Sequence, residues 1–531
     1  MANSQGKLIM IRKLLYLILP FALGACGNVE QSPGGETSAP ETAQAQQLNI
    51  VPFPQSVTPA AGELTLSKEL TVATDTNAPD SAAALLALLD QLDIQYSEND
   101  NAVINLKLDP SLPLGEEGYR LNIDQNITLT APTDAGLFYG IQSLKQLLPA
   151  AAQAEYVLPK VLIEDQPQYN WRGSMLDVAR NFIGVEYLKQ HIQRMASFKL
   201  NKLHLHLTDD QGWRLEIKSR PKLTEVGGTT SVSGNRGGFY TQAQMRELVA
   251  FAARHQIEII PEIDLPGHTQ AAIAAYNDLA CDDVVDNPPQ NQCEDVVGPA
   301  RLAPYSGTCV GFSALCSSKK PDVVYTFVED VLREVADIFP SEYLHIGGDE
   351  VLNEEADAFP DFITKVDQIV ASLDRKLLAW EEASAGDIRG NSLLQFWNDD
   401  YDIAPALEKG IHLVLSPCSY TYLDHGNYDG QPDTYTWCAK QGIPLERVYS
   451  LTPESYQQVV GVEAPMWSEK VADDATADNR NWPRLAAIAE VSWTKQPQRN
   501  YEAFTQRLSA LRQHLDKMGI EYYRAPELSW D

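Results

Sequence analysis

From Trp171 onward the chain alternates short apolar runs with longer amphipathic stretches. The runs Gly173–Asp177, Lys202–Thr208, Glu258–Asp264, Tyr343–Gly347, Lys376–Trp380, Ser392–Trp397, His412–Ser416 and Gly461–Trp467 read as strands. Between them Val185–Phe198, Thr241–His255 and Val323–Phe339 place apolar residues at helical spacing. This alternation predicts an α/β fold, a (β/α)8 TIM barrel over residues 166–531. A Rossmann-type sheet is the competing topology, but no glycine-rich phosphate loop opens a helix. Residues 48–165 mix strand-like runs (Leu64–Leu66, Ala102–Leu106, Ile127–Leu129) with helical patterns near 81–93 and 134–148. A small α+β domain is therefore expected ahead of the barrel.

Each barrel strand is followed by polar or aromatic residues. They are Asp177 with Arg180, Asp209-Asp210, Glu262-Ile263-Asp264 with His268, Asp349-Glu350, Trp380, Trp397, Tyr422 with Asp424, and Trp467 with Glu469. In TIM barrels the chemistry sits at the C-terminal ends of the strands, so these positions predict an active site.

Composition changes the picture at the N-terminus and in the choice of partner. Lys plus Arg is 41 against 72 Asp plus Glu, a net charge of −31 with no basic run, which argues against nucleic acid and anionic lipid as partners. Lys7, Arg12 and Lys13 precede the apolar run Leu14–Leu23, which ends in Leu23-Gly24-Ala25-Cys26. That is the pattern of an export signal over 1–25, and the cysteine after small residues resembles a bacterial lipobox, which would acylate Cys26. An ordinary secretory signal with an incidental cysteine is the alternative, and Met10 offers a more compact start. Loss of 1–25 removes three basic and no acidic residues, taking the charge from −31 to −34. Residues 26–47 are rich in Ser, Pro, Gly, Thr, Ala and Gln and read as a flexible tether. The expected location is the cell envelope, with membrane contact only through the lipid. Six further cysteines suit an oxidising compartment, with loops closed within 281–316 and between Cys418 and Cys438.

In His345-Ile346-Gly347-Gly348-Asp349-Glu350, two glycines let the backbone leave the sheet tightly, so adjacent carboxylates can both face a pocket. Neighbouring carboxyls in a shielded cleft resist double ionisation, and a retained proton is what glycoside hydrolysis needs for its leaving oxygen.

This motif, with His204-Leu205-His206-Leu207-Thr208-Asp209-Asp210-Gln211-Gly212-Trp213-Arg214 and Pro261-Glu262-Ile263-Asp264-Leu265-Pro266-Gly267-His268, resembles the family 20 glycoside hydrolases, the β-N-acetylhexosaminidases. The resemblance runs over essentially the whole chain beyond the tether. It implies exo-acting removal of terminal β-linked GlcNAc or GalNAc from oligosaccharides or glycoconjugates, without a cofactor. It also implies a substrate-assisted mechanism: Glu350 as general acid and base, Asp349 orienting the acetamido N–H, and Tyr422 binding the acetamido oxygen. Arg180, Asp424 and Glu469 would hold sugar hydroxyls, Trp380, Trp397 and Trp467 would wall the ring, and Asp209 with His268 would support Glu350. Whether Asp209 or Asp210 takes that part is open at this point.

Three other readings compete. His204-x-His206 is a zinc pattern in some barrel hydrolases, but no second histidine pair follows it, and no metal is expected. Release of a disaccharide would need a wider pocket. A glycan-binding lipoprotein without activity would not need a proton-bearing pair. The 281–320 segment, with four cysteines, departs from the family pattern; it follows the third strand and is expected to shape outer subsites.

Overall fold

The computed structural model describes residues 48–281, 303–351 and 358–530. The predicted signal and tether, Cys26 and Cys293 lie outside them.

Residues 56–165 form a seven-stranded mixed sheet: β1 (Ser56–Leu66), β2 (Glu69–Ala73), β3 (Gln95–Glu98), β4 (Ile104–Leu108), β5 (Tyr119–Ile123), β6 (Ile127–Ala131) and β7 (Tyr156–Asp165). The strand order is β1-β7-β5-β6-β4-β2-β3. Helices α1 (Pro79–Gln91) and α2 (Asp134–Leu147) pack on it, α2 starting where Thr133 Oγ1 accepts the Gly136 N–H. Strands β5 and β6 alternate buried and half-buried residues, as expected when one face meets helices.

The barrel strands are Trp171–Asp177, Lys202–His206, Glu258–Glu262, Tyr343–His345, Lys376–Trp380, Leu393–Phe396, His412–Leu415 and Val459–Met466. All pairings are parallel, and the eighth strand closes on the first from Gly461 opposite Trp171 to Met466 opposite Leu176. The fold class read from the pattern is the one observed. Crossover helices lie where the periodicity puts them: α3 (Val185–Ser197), Gln242–Ala253, which Thr241 and Gln244 open with a capping box, and Pro321–Ile338. Among the described residues, no helix is long and apolar enough to cross a membrane.

The sheet domain is welded to the barrel by buried polar contacts. Asp165 accepts from Trp493 Nε1 at 2.9 Å, Tyr119 Oη at 2.7 Å and Lys199 Nζ at 3.1 Å. Arg172 of the first barrel strand forms a bidentate pair with Glu117 at 2.8 and 2.9 Å. Removing one partner of such a pair strands a buried charge, so the two layers behave as one unit.

The barrel interior departs from the usual stack of branched apolar side chains. Gly173 leaves room for Glu463, whose Oε2 would lie 2.4 Å from a Cβ there. Glu463 accepts from Trp171 Nε1 at 2.8 Å and Gln395 Nε2 at 2.9 Å, and meets His204 Nδ1 at 2.8 Å. Glu262 lies 3.0 Å from His204 Nε2, 2.6 Å from His206 Nδ1 and 3.2 Å from His345 Nδ1. His206 Nε2 then reaches Asp209 at 2.8 Å. A continuous ionic chain thus rises through the barrel from Glu463 to Asp209.

Candidate active site

The chain emerges at the C-terminal mouth of the barrel. Asp177 ends the first strand; its carboxylate accepts the N–H groups of Ala179, Arg180 and Ser468 at 2.9, 2.9 and 3.0 Å. This turn aims Arg180 inward, where it meets Asp209 at 2.9 Å, Asp177 at 3.3 Å and Glu469 at 3.6 Å, its guanidinium 4.8 Å over the Trp467 ring. After the fourth strand Gly347 and Gly348 hold φ of 67° and 94°, and a Cβ on Gly347 would sit 1.8 Å from Asp264 Oδ1. Only glycine fits there, and the turn delivers Asp349 and Glu350 to the mouth. Glu350 itself holds left-handed backbone, φ 51°, a conformation costly for a non-glycine residue.

These residues line a cavity of about 200 Å³ with Trp397, Tyr422, Asp424, Trp467 and Glu469. Thr308, Val310, Tyr435 and Trp437 complete the lining. Trp397 lies face to face with Tyr422, centroids 6.2 Å apart at 28°, and Tyr422 is buried. The loop carrying Tyr422, Asp424, Tyr435 and Trp437 is closed by the Cys418–Cys438 disulfide, the pairing expected from the spacing. Cys281 pairs with Cys316. The described part of the 281–320 segment reaches the cavity through Thr308 and Val310 and is tied to the site by the Tyr305 N–H donating to the Asp210 carbonyl at 2.9 Å.

Three predicted residues stand behind the lining rather than in it. Trp380 is fully buried, its indole donating to Glu262 at 3.0 Å and its ring 5.7 Å from Trp467; it backs the wall that Trp467 forms. Asp209 is buried between Arg180, His206 and His268. His268 Nδ1 lies 3.4 Å from Asp209 and 3.8 Å from Asp210, so Asp209 is the nearer partner; His268 Nε2 lies 3.5 Å from Glu350 and 3.7 Å from Asp349. Asp210 turns away to accept from Ser313 Oγ and the Gln270 N–H.

Burial and charge divide the acids. Burial, opposed by His268 and reinforced by Glu350, pushes Asp349 up to about 6. Burial pushes Glu469 up to about 7 against the pull of Arg180, with Asp177 and Asp424 adding to the rise. Against burial, Arg180, His268 and His206 hold Asp209 well below the carboxylate range. Against burial likewise, Asp209, Asp264 and Asp349 hold His268 well above the usual histidine value. His204, which burial would discharge, is raised to about 9 by Glu463 and Glu262. Each of the two histidines is held between carboxylates, His204 between Glu463 and Glu262 and His206 between Glu262 and Asp209, so the pair forms part of the ionic chain.

Sequence reasoning passed over Tyr435, Trp437, Thr308 and Val310, and the partners of the two histidines. The cysteine pair was the available sign that the 418–438 loop folds back on itself.

A closed TIM barrel with adjacent carboxyls in a polar, aromatic-walled cavity at its C-terminal mouth has the form of a glycosidase. Residues 169–496 match the glycosyl hydrolase family 20 catalytic domain and residues 47–166 match domain 2 of the same family, and the chain belongs to that family. It is 36% identical over 471 residues to the β-N-acetylhexosaminidase of Cellulomonas fimi, covering 85% of this chain and 89% of the relative. The β-hexosaminidase of Porphyromonas gingivalis is 33% identical over 520 residues, covering 90% of this chain and 64% of the relative. Among solved structures, N-acetyl-β-hexosaminidase of Streptomyces plicatus in complex with Thio-NAglucal superposes with a TM-score of 0.83 at 36% identity, covering 92% of this chain and 98% of that one. The protein is a glycosidase of the β-N-acetylhexosaminidase type.

Proposed function

We propose that the chain removes terminal non-reducing GlcNAc or GalNAc from β-linked glycans by retaining, substrate-assisted catalysis. The observation that carries this reading is the shared anchor of the two carboxyls. One oxygen each of Asp349 and Glu350 and a nitrogen of His268 all lie within 4.8 Å of one another. Both acids thus face the cavity from one edge, whereas a protein nucleophile would have to oppose the acid across the sugar ring. The family resemblance implies that the attacking atom is the substrate's own acetamido oxygen. It bonds to the anomeric carbon as the glycosidic bond breaks, and Glu350 gives its proton to the leaving oxygen. Asp349 accepts the acetamido N–H and stabilises the positive charge that develops on the oxazolinium ring. Glu350 then takes a proton from the water that opens the ring, restoring the β configuration. Tyr422 donates to the acetamido oxygen, and Arg180, Asp424 and Glu469 hold the remaining hydroxyls.

A mutant of the Streptomyces plicatus enzyme, in complex with its product GlcNAc, superposes with a TM-score of 0.83, which supports a substrate ending in this sugar. The test is nitrophenol release from 4-nitrophenyl N-acetyl-β-D-glucosaminide and its galacto epimer, beside the plain β-glucoside and a Glu350→Gln variant. Cleavage confined to the acetamido sugars and lost in the variant is expected; equal cleavage of the glucoside refutes substrate assistance. Export with a lipid on Cys26 belongs to the same proposal. A Cys26→Ser change should move the protein from the membrane to the soluble fraction.

A further inference from the structure

The turn after the fifth barrel strand, Glu381–Ala385, opens with two adjacent acids that the mechanism above does not use. Glu381 is buried and accepts the backbone N–H groups of Trp397 and Asn398, each at 2.9 Å, which splices the end of strand five to the end of strand six. Glu382 is half-buried and accepts the indole N–H of Trp397 at 3.3 Å. Backbone and ring of one cavity-lining tryptophan are therefore held by two neighbours on the preceding strand. That ring faces Tyr422 and meets Trp437 edge-on at 5.9 Å and 82°. Packing alone constrains an indole loosely about its long axis, and a bond to its N–H selects one orientation.

We propose that Glu382 is a positioning residue of this site: by accepting the indole N–H it locks the Trp397 ring against Tyr422 in the cavity wall. The inference rests on the hydrolase reading given above. The titratable groups facing Glu382 are Asp349 and Glu350 after strand four, Glu381 on its own turn and Tyr401 after strand six. Burial, then Asp349 and Glu350, push Glu382 up to about 8, whereas Asp349 stands at about 6.

Full-length Glu382 variants, assayed on 4-nitrophenyl N-acetyl-β-D-glucosaminide across about pH 5–9, test this. GlcNAc binding is measured separately by tryptophan fluorescence. Glu382→Ala is expected to raise KM and the GlcNAc Kd about tenfold, with kcat changed less than about threefold. Glu382→Gln keeps an acceptor for the indole N–H, so KM should rise no more than about threefold and the KM loss of the alanine variant should largely be rescued. Trp397→Phe deletes the N–H, so adding it to Glu382→Ala should raise KM no further. Additive effects, an unchanged KM in the alanine variant, or a glutamine variant no better than the alanine variant would each overturn the assignment. So would a Glu382→Gln loss as deep as that of Glu350→Gln, which would make Glu382 a proton donor in its own right. Should the alanine variant fail to fold, the near-isosteric Gln variant with Trp397→Phe completes the same cycle. Wild-type protein without hydrolysis would sink the hydrolase reading, and the GlcNAc Kd values would still decide the positioning role.

Discussion

His268 Nε2 lies 3.5 Å from Glu350 Oε2, and both residues hold left-handed backbone, φ 53° and 51°. Two non-glycine residues in that region, facing each other, are kept there only because their surroundings over-determine them. Beyond His268 the line of groups continues to Asp209 at 3.4 Å and from Asp209 to Arg180 at 2.9 Å. In the proposed mechanism, Arg180, which would hold the sugar, and Glu350, which would move the proton, are therefore linked through one imidazole. Because His268 does not line the cavity, His268→Asn should act through the placement of Glu350. A loss of roughly 10²-fold in kcat with KM changed only a few-fold is expected. Asp209→Asn should raise KM as well, since Arg180 loses a partner. Steady-state kinetics on both variants separate the two effects.

On the proposed mechanism the acid limb of activity belongs to Asp349. Its carboxyl must be ionised to accept the acetamido N–H, and burial and Glu350 push it up to about 6 against the pull of His268. A raised carboxyl is protonated below that value, so kcat/KM should fall as pH drops through about 6. In Asp349→Asn the limb should vanish along with most of the rate. A limb that persisted in this variant would point instead to Glu469, which stands at about 7.

The eight barrel strands were legible because each is a short apolar run that ends abruptly in polar residues; the runs from Lys202 and Lys376 start where the sequence reading puts them. The N-terminal sheet was less legible. β3 is Gln-Tyr-Ser-Glu with every residue exposed, so it shows no alternation, and in β7 Pro159 and Lys160 break the alternation in mid-strand. At the site, Arg180, Asp349, Glu350, Tyr422, Asp424 and Glu469 follow strand ends or motifs and could be named from them. Tyr435 and Trp437 reach the cavity only because a loop returns on itself, which no local pattern encodes. The roles of His204 and His206 depend on Glu262 and Glu463, residues of other strands that barrel closure alone brings together.

That returning loop supports a prediction of its own. The Cys418–Cys438 bond closes a 20-residue separation bearing four lining residues, and the Cys438 N–H points to His425 Nε2 at 3.4 Å. His425 Nδ1 in turn meets Asp424 at 3.1 Å. Opening the bond in Cys418→Ser/Cys438→Ser should cost about 3 kcal/mol of stability. Because the loop carries binding groups and not the proton donor, KM should rise more than kcat falls. Thermal melts and kinetics with and without reductant on the wild type, beside the double variant, check both.

Gly347 is the tightest position at the site. An alanine there would bring its Cβ to 1.8 Å from Asp264 Oδ1 while the backbone sits at φ 67°. Two costs combine, the left-handed conformation and the displacement of a buried carboxyl next to the Gly348 N–H, which lies 3.3 Å from Asp264 Oδ1. Gly347→Ala should therefore destabilise the protein by about 2–4 kcal/mol and lower kcat even in the folded fraction, because the turn it distorts delivers Asp349 and Glu350. The two costs can be separated. Adding Asp264→Ala removes the carboxyl from the clash and leaves the 2.8 Å approach to the residue 264 Cα and the backbone strain, so the double variant should recover part of the stability lost by Gly347→Ala alone. Chemical denaturation of the single and double variants measures that recovery. If the double variant is no more stable than the single, the backbone, through its conformation and its approach to the residue 264 Cα, carries the whole cost and the carboxyl is free to move.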